Sequence, residues 1–199
     1  MQTVSMLQLR LRLLHQLRRL SADTRGIAAV EFVLIVPLML MIFFGTIQVS
    51  TAVAVDRKVS LTARTLSDLI SQASTITDTD IANAFGITTA ILSPYANTPL
   101  QAKISQVYID PSTLVAKVKW SKASNATAHS CNEVVTVPSA LQVAGSYLIM
   151  SEVTYNYQPI VGYDIKLHFA SASYPLSDSM YTRPRQSVSV AYPTAPACP

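Results

Sequence analysis

The sequence predicts an α+β protein: a long N-terminal transmembrane helix continuing outside the membrane, a short second helix, then an antiparallel β-sheet of about four to six strands. Three observations predict it. From Phe32 to Val55, 24 consecutive residues carry no charged side chain. Beyond them, Val59, Thr62, Leu66, Leu69, Ala73 and Ile76 recur at helical spacing. From Lys103 the period of the apolar residues becomes two, as strands require.

The uncharged run extends to about 36 Å as a helix, against a hydrocarbon core of about 30 Å. It crosses a membrane once with some tilt, and the rest of the chain is too small and polar to wrap it in a soluble core. Pro37 lies inside the run, where it removes one helical hydrogen bond and bends the helix. Glu31 stands at the mouth of the run. A carboxylate at mid-membrane depth costs about 2.5–3.5 kcal/mol. A helix N-terminus offsets part of that through its macrodipole.

The helix is expected over residues 27–76, with Arg57, Arg64, Asp68 and Gln72 off the apolar stripe. Packing within the chain and packing on neighbouring subunits both fit such a stripe. Thr77 to Asp80 offers N-caps for a second helix over 79–92, stopped by Ser93-Pro94. A hairpin follows, with Ile104–Ile109 and Leu114–Trp120 joined by a turn at Asp110-Pro111-Ser112. Residues 121–133 read as a polar loop and 134–137 as a short strand. Tyr147–Tyr157 reads as a strong strand, Ile165–Ala170 as another, and 187–192 as the last. The expected division is a basic cytoplasmic leader (1–26), the transmembrane helix and its extension (27–76), and an extracytoplasmic α+β domain (77–199).

The net charge of +4 is misleading. Residues 1–26 hold five arginines (Arg10, Arg12, Arg18, Arg19, Arg25) against Asp23, and the remaining lysines and arginines balance the remaining acids. No basic face is left for nucleic acid. The arginine cluster instead keeps the N-terminus cytoplasmic. Cys131 and Cys198 both fall on the outer side, where an oxidising compartment favours a disulfide between them over two free thiols. His129-Ser130-Cys131 lacks the spacing and ligand number of a structural zinc site, so no metal is expected. Neither G-x-S-x-G, H-E-x-x-H nor G-x-G-x-x-G occurs. No enzyme activity, cofactor or small-molecule substrate is expected.

The string Gly26-Ile27-Ala28-Ala29-Val30-Glu31-Phe32, after basic residues and before a pure apolar helix, resembles the type IV prepilin processing site. In that family a membrane peptidase cuts after the glycine, and glutamate is the fifth mature residue. Together with Asp56-Arg57-Lys58, the run from Ala63 to Gln72, Leu92-Ser93-Pro94-Tyr95, the strand ending at Trp120, Tyr155-Asn156-Tyr157 and Arg183-Pro184-Arg185, it makes the chain similar to the TadE/TadG-like family of the Tad (Flp) pilus machinery. The resemblance implies a pilin-like architecture and a minor pilin or pseudopilin-like role. It also implies cleavage after Gly26 by a prepilin peptidase, and Glu31 pairing with the new amine of Ile27 on another subunit. It implies a single-pass protein of the bacterial inner membrane with a periplasmic C-terminal domain, incorporation into the pilus being open. Its partners are then the membrane, the peptidase and the other Tad pilus subunits and assembly proteins. Phe32 and the full C-terminal domain depart from the short major Flp pilins, which carry tyrosine after the glutamate. The alternative is an uncleaved single-span anchor whose periplasmic domain binds envelope or pilus components.

Overall fold

The computed structural model describes residues 25–96, 98–159 and 173–195. Residues 1–24 of the expected leader, the expected strand Ile165–Ala170 and Cys198 lie outside the described residues. Helix α1 (Arg25–Ser71) is followed by α2 (Asp78–Leu92) and by strands β1 (Leu100–Ile109), β2 (Ala116–Ser124), β3 (Val134–Val135), β4 (Tyr147–Tyr157) and β5 (Tyr174–Thr182). The strands form one antiparallel sheet in the order β3-β2-β1-β4-β5. This is the α+β fold the sequence predicts. The chain divides into two compact units with the boundary between Ile47 and Gln48, inside α1.

In the second unit α1 packs on the sheet of its own chain. Its buried face is Val55, Val59, Thr62, Ala63, Leu66, Ser67, Ile70 and Ser71, while Leu69 is half-buried. That face is wider than the narrow stripe of the sequence, because adjacent positions such as Thr62 and Ala63 both go in. Against it lie Leu100, Ala102 and Ile104 of β1 and Ile149, Val153, Tyr155 and Tyr157 of β4. Small side chains allow close approach: the Ser151 hydroxyl donates to the Ala63 carbonyl at 2.6 Å, and Thr182 to the Ser67 hydroxyl at 2.9 Å.

The sheet has a second, smaller core on its other face, and a β-bulge turns Val118 into it. Gln106 pairs with Trp120 but Val107 pairs with Val118, so Lys119 is the extra residue. Two residues apart in an even strand, Val118 and Trp120 would share a face. The bulge separates them. Trp120 joins the α1 side, and Val118 joins Val107, Ile109, Leu148, Met150 and Val137 on the other.

The turn between β1 and β2 falls where the sequence puts it. Asp110 accepts from the Ser112 hydroxyl at 2.5 Å and from the amides of Ser112 at 2.9 Å and Thr113 at 3.1 Å. These bonds, the Ser112 hydroxyl first, hold its carboxyl down to about 2. Thr77 caps α2 reciprocally with Asp80: its hydroxyl accepts from the Asp80 amide, and its own amide donates to the Asp80 carboxylate at 2.8 Å.

Several expectations are corrected. Helix α1 stops at Ser71 rather than Ile76, because the Arg185 amide takes the Ser71 carbonyl at 2.9 Å. Ile76 is still buried, but on an extended segment. The polar stretch after Ser121 is not all loop: β2 continues to Ser124, its polar side chains lining the strand. The final strand is β5 at Tyr174–Thr182, not 187–192. Residues 183–192 instead strap α1 to the sheet. The Val190 amide donates to the Gln106 side chain at 2.7 Å, Trp120 donates to the Val190 carbonyl at 3.1 Å, and Ala191 makes a lone parallel bridge to Thr75. Tyr192 packs edge-on to Trp120 and donates to Asp78.

Leu66 is fully buried between helix and sheet, whereas Leu61 on the same helix is half-exposed. Leu66→Ala should lower stability by about 2–5 kcal/mol, and Leu61→Ala by under about 0.5 kcal/mol. Thermal unfolding of the detergent-solubilised variants measures the difference, and equal losses would contradict this packing.

Candidate functional site

The first unit holds the residues of the expected processing motif and the expected kink. Gly26, Ile27, Glu31, Phe32 and Pro37 all lie on α1. No side chain from Gly26 to Ile47 is buried, and this part of α1 is long and apolar enough to cross a membrane. Ile27 is 61% exposed and Phe32 67%. A Cβ built on Gly26 meets nothing, so packing does not require glycine there. Ile27 and Glu31 are four residues apart and so lie on one helix face, a turn from each other.

The described helix begins at Arg25, and its first turn holds no acid. Glu31 is therefore beyond the first turn, where the macrodipole fades. The dipole does not account for this carboxylate. The helix is continuous through Pro37, whose missing N–H leaves the Val33 carbonyl without its partner four residues on. Thr46 turns its hydroxyl back onto the Ile42 carbonyl at 2.8 Å, which suits an apolar surrounding.

The second unit holds contacts the sequence did not signal. At the start of that unit, the Tyr157 hydroxyl donates to the Gln48 side chain at 2.9 Å. Lys58 donates to the carbonyls of Ile91 at 2.7 Å and Ser93 at 2.6 Å, and lies 5.9 Å from the Tyr95 ring centre. A cation on two carbonyls at the end of α2 matches that helix's negative pole.

On the opposite sheet face His129 sits between two carboxylates. Its Nδ1 is 2.9 Å from Glu133 and its Nε2 2.5 Å from Glu152, with Lys103 3.7 Å from Glu152. Neighbouring Cys131 is disulfide-bonded. The His129–Glu133 pair has helical i,i+4 spacing, but Glu152 comes from a distant strand and nothing in the sequence announces it.

Burial works against the charged ring of His129, and the hydrogen bonds to Glu152 and Glu133 overcome it, so its pKa is raised. The contribution to stability is then full below the unfolded-state value of about 6.5 and is lost as pH rises through the higher folded-state value. Glu133 is shifted down, first by His129 and then by the Ser130 amide. Its contribution is present above an unfolded value of about 4.3 and disappears on acidification through the lower folded value. Melting curves between roughly pH 6 and 9 should show a decline on the alkaline side that His129→Gln removes. A decline that survives the substitution would assign it elsewhere.

The TadE family model, described as TadE-like protein, matches residues 26–66. That is about a fifth of the chain, running from the glycine of the processing-like string to Leu66 in the packed part of α1. No curated protein and no solved structure matches the chain. Over this helix the chain is similar to TadE-like proteins, as the resemblance to the TadE/TadG-like family leads one to expect.

Proposed function

We propose that this chain is a minor pilin or pseudopilin-like component of Tad (Flp) pilus assembly, anchored in a bacterial inner membrane by α1 and cut after Gly26 by a prepilin peptidase. The observation that carries the reading is where the family match lies. It opens on Gly26, covers the apolar run, and ends inside the packed part of α1. A structural and assembly role follows, in which no catalytic residue of this chain takes part.

Residues 1–26 are the cytoplasmic leader, 27–76 the span and its extension, and 77–199 the periplasmic domain. The arginines before Ile27 set this orientation. Partners are the peptidase and the other pilus subunits and assembly proteins. Glu31 pairs with the new amine of Ile27 on a neighbouring subunit, which makes a carboxylate in the apolar segment tolerable. Pro37 bends the span. Cys131 pairs with Cys198, the second cysteine of the chain, tying the tail to the loop before β3.

Mass spectrometry of membrane-extracted protein should find its N-terminus at Ile27. Retention of residues before Gly26 would make the chain a permanent single-span anchor. Glu31→Ala should leave insertion intact and lower pilus output at least tenfold, on the order of the loss of one buried charge pair; normal piliation would remove the pairing role. Peptide mapping without reduction should recover Cys131 linked to Cys198, and alkylation of either thiol in unreduced protein would overturn that pairing.

A further inference from the structure

We infer that the disulfide of Cys131 is a redox-controlled clasp on the strap. Oxidised, it holds residues 183–195 against Trp120 and the end of α1; reduced, it releases them while the sheet stays folded. The inference rests on the pairing of Cys131 with Cys198 proposed above.

The strap is held by few contacts for its length. Of residues 183–195 only Val190 and Tyr192 are buried, and Val188 is 78% exposed. On the sheet side it meets single side chains. Gln106 takes the Val190 amide at 2.7 Å, and Trp120 gives its indole N–H to the Val190 carbonyl at 3.1 Å. On the helix side the Arg185 amide takes the Ser71 carbonyl, Ala191 exchanges backbone bonds with Ser74 and Ile76, and Tyr192 donates to Asp78. Ordering such a segment costs backbone entropy at every residue, and two buried side chains offset little of it. Strands β1 and β4 share a full ladder instead and bury residues on both faces of the sheet. The strap is therefore poised to open before the sheet does.

The disulfide adds what these contacts lack. Cys131 is disulfide-bonded, and the chain has two cysteines. Cys198 follows Ala195 by three residues, a reach of at most about 11 Å. Ala195 lines a cavity of about 360 Å³ together with Lys119, Trp120, Val190 and Tyr192. The loop of Cys131 is built into β2 beside the same bulge. The Asn132 amide donates to the Val118 carbonyl at 2.9 Å, and the Val118 amide to the Glu133 carbonyl at 3.0 Å. His129 pins this loop to Glu152 of β4 as well. One end of the disulfide is thus anchored in the sheet, and the other is leashed to the strap. Docking the strap and closing the bond bring the same two parts together, so each favours the other by the same factor. A dithiol exchanges the bond for two thiols and a cyclic disulfide on the reagent, two electrons and two protons passing to the protein. The strap is then left with its own contacts alone.

The test uses the full chain in detergent micelles. Trp120 is the single tryptophan of the chain, 6% exposed and edge-on to Tyr192, so it reports the strap directly. Dithiothreitol should raise acrylamide quenching of Trp120 about threefold. Hydrogen exchange at the Val190 and Ala191 amides should rise at least about tenfold, with the Ile104 and Ile149 amides unchanged. Cys131→Ser combined with Cys198→Ser should reproduce both changes without reductant. By reciprocity, Tyr192→Phe should make the disulfide about fivefold easier to reduce in a dithiothreitol redox buffer. A Trp120 that stays protected after reduction overturns the inference and leaves the pairing standing, as does a reduction equilibrium that Tyr192→Phe does not move. Exchange that rises equally in strap and sheet also overturns it, because the bond then holds the whole unit. Thiols open to alkylation before any reductant remove the pairing and the inference with it.

Discussion

A single hydrogen-bonded helix has to satisfy two surroundings, and the rest of the structure follows from that. In lipid a backbone is tolerated only where every N–H and C=O is paired within the segment, which a helix achieves by itself. From Gly26 to Thr46 no side chain of α1 is buried among the described residues. From Val55 to Ser71 the same helix buries one face completely. The sheet exists in the form it does because that face needs a cover. Ile104, Ile149 and Val153 would be bare without α1, and Val59 and Leu66 would be bare without them. At about 25 cal/mol per Å² of apolar surface, this shared burial is the main source of stability, and the small contacts at Ala63 and Ser67 set its register.

Closing the far end of the helix is a separate problem, solved without regular structure. The last turn of α1 offers carbonyls with no helical partner. The strap takes the Ser71 carbonyl with the Arg185 amide, and Arg185 also pairs its guanidinium with Asp68. Farther along, Trp120, Gln106 and Asp78 each hold a group of the strap. These three contacts are side chain to backbone or side chain to side chain, while Arg185 and Ala191 pair backbone to backbone with Ser71, Ser74 and Ile76 at the end of α1 and just beyond it. On the sheet side the strap pairs with no strand among the described residues, and β2 keeps its own partner in β3.

The sequence shows most clearly what is local. The N-cap at Thr77 and the turn at Asp110 are each set by residues within a few positions of one another, and each is found where expected. Strand β5 was hidden because Pro175 and the polar run Ser177-Asp178-Ser179 blur its alternation. Both are admissible because it is an edge strand. Residues 187–192 have a strand's composition, but they bond to partners 70 to 114 positions away, which no local pattern encodes. The bulge at Lys119 reverses the face of Val118 relative to Trp120, and only the register of β1 reveals it. Of the titratable groups, His129 and Glu133 share a helical spacing, yet it is Glu152 from β4 that completes the cluster.

Glu31 is the residue whose energetics turn most on its surroundings in the membrane. A lone carboxylate within the hydrocarbon costs about 2.5–3.5 kcal/mol, and a helix dipole returns about 0.3–1 kcal/mol only within the first turn, which Glu31 has left behind. Among the described residues no ion pair reaches it. Two arrangements fit: headgroup depth, or a cationic partner beyond the described residues. If Glu31 marks the inner headgroups, about 20 residues carry the helix to near Thr51; if Ile27 does, they carry it to near Thr46. The two answers straddle Gln48. The length of the span is therefore nearly the same for a retained anchor and for a processed subunit. What separates them is confined to Glu31 and to the bond between Gly26 and Ile27.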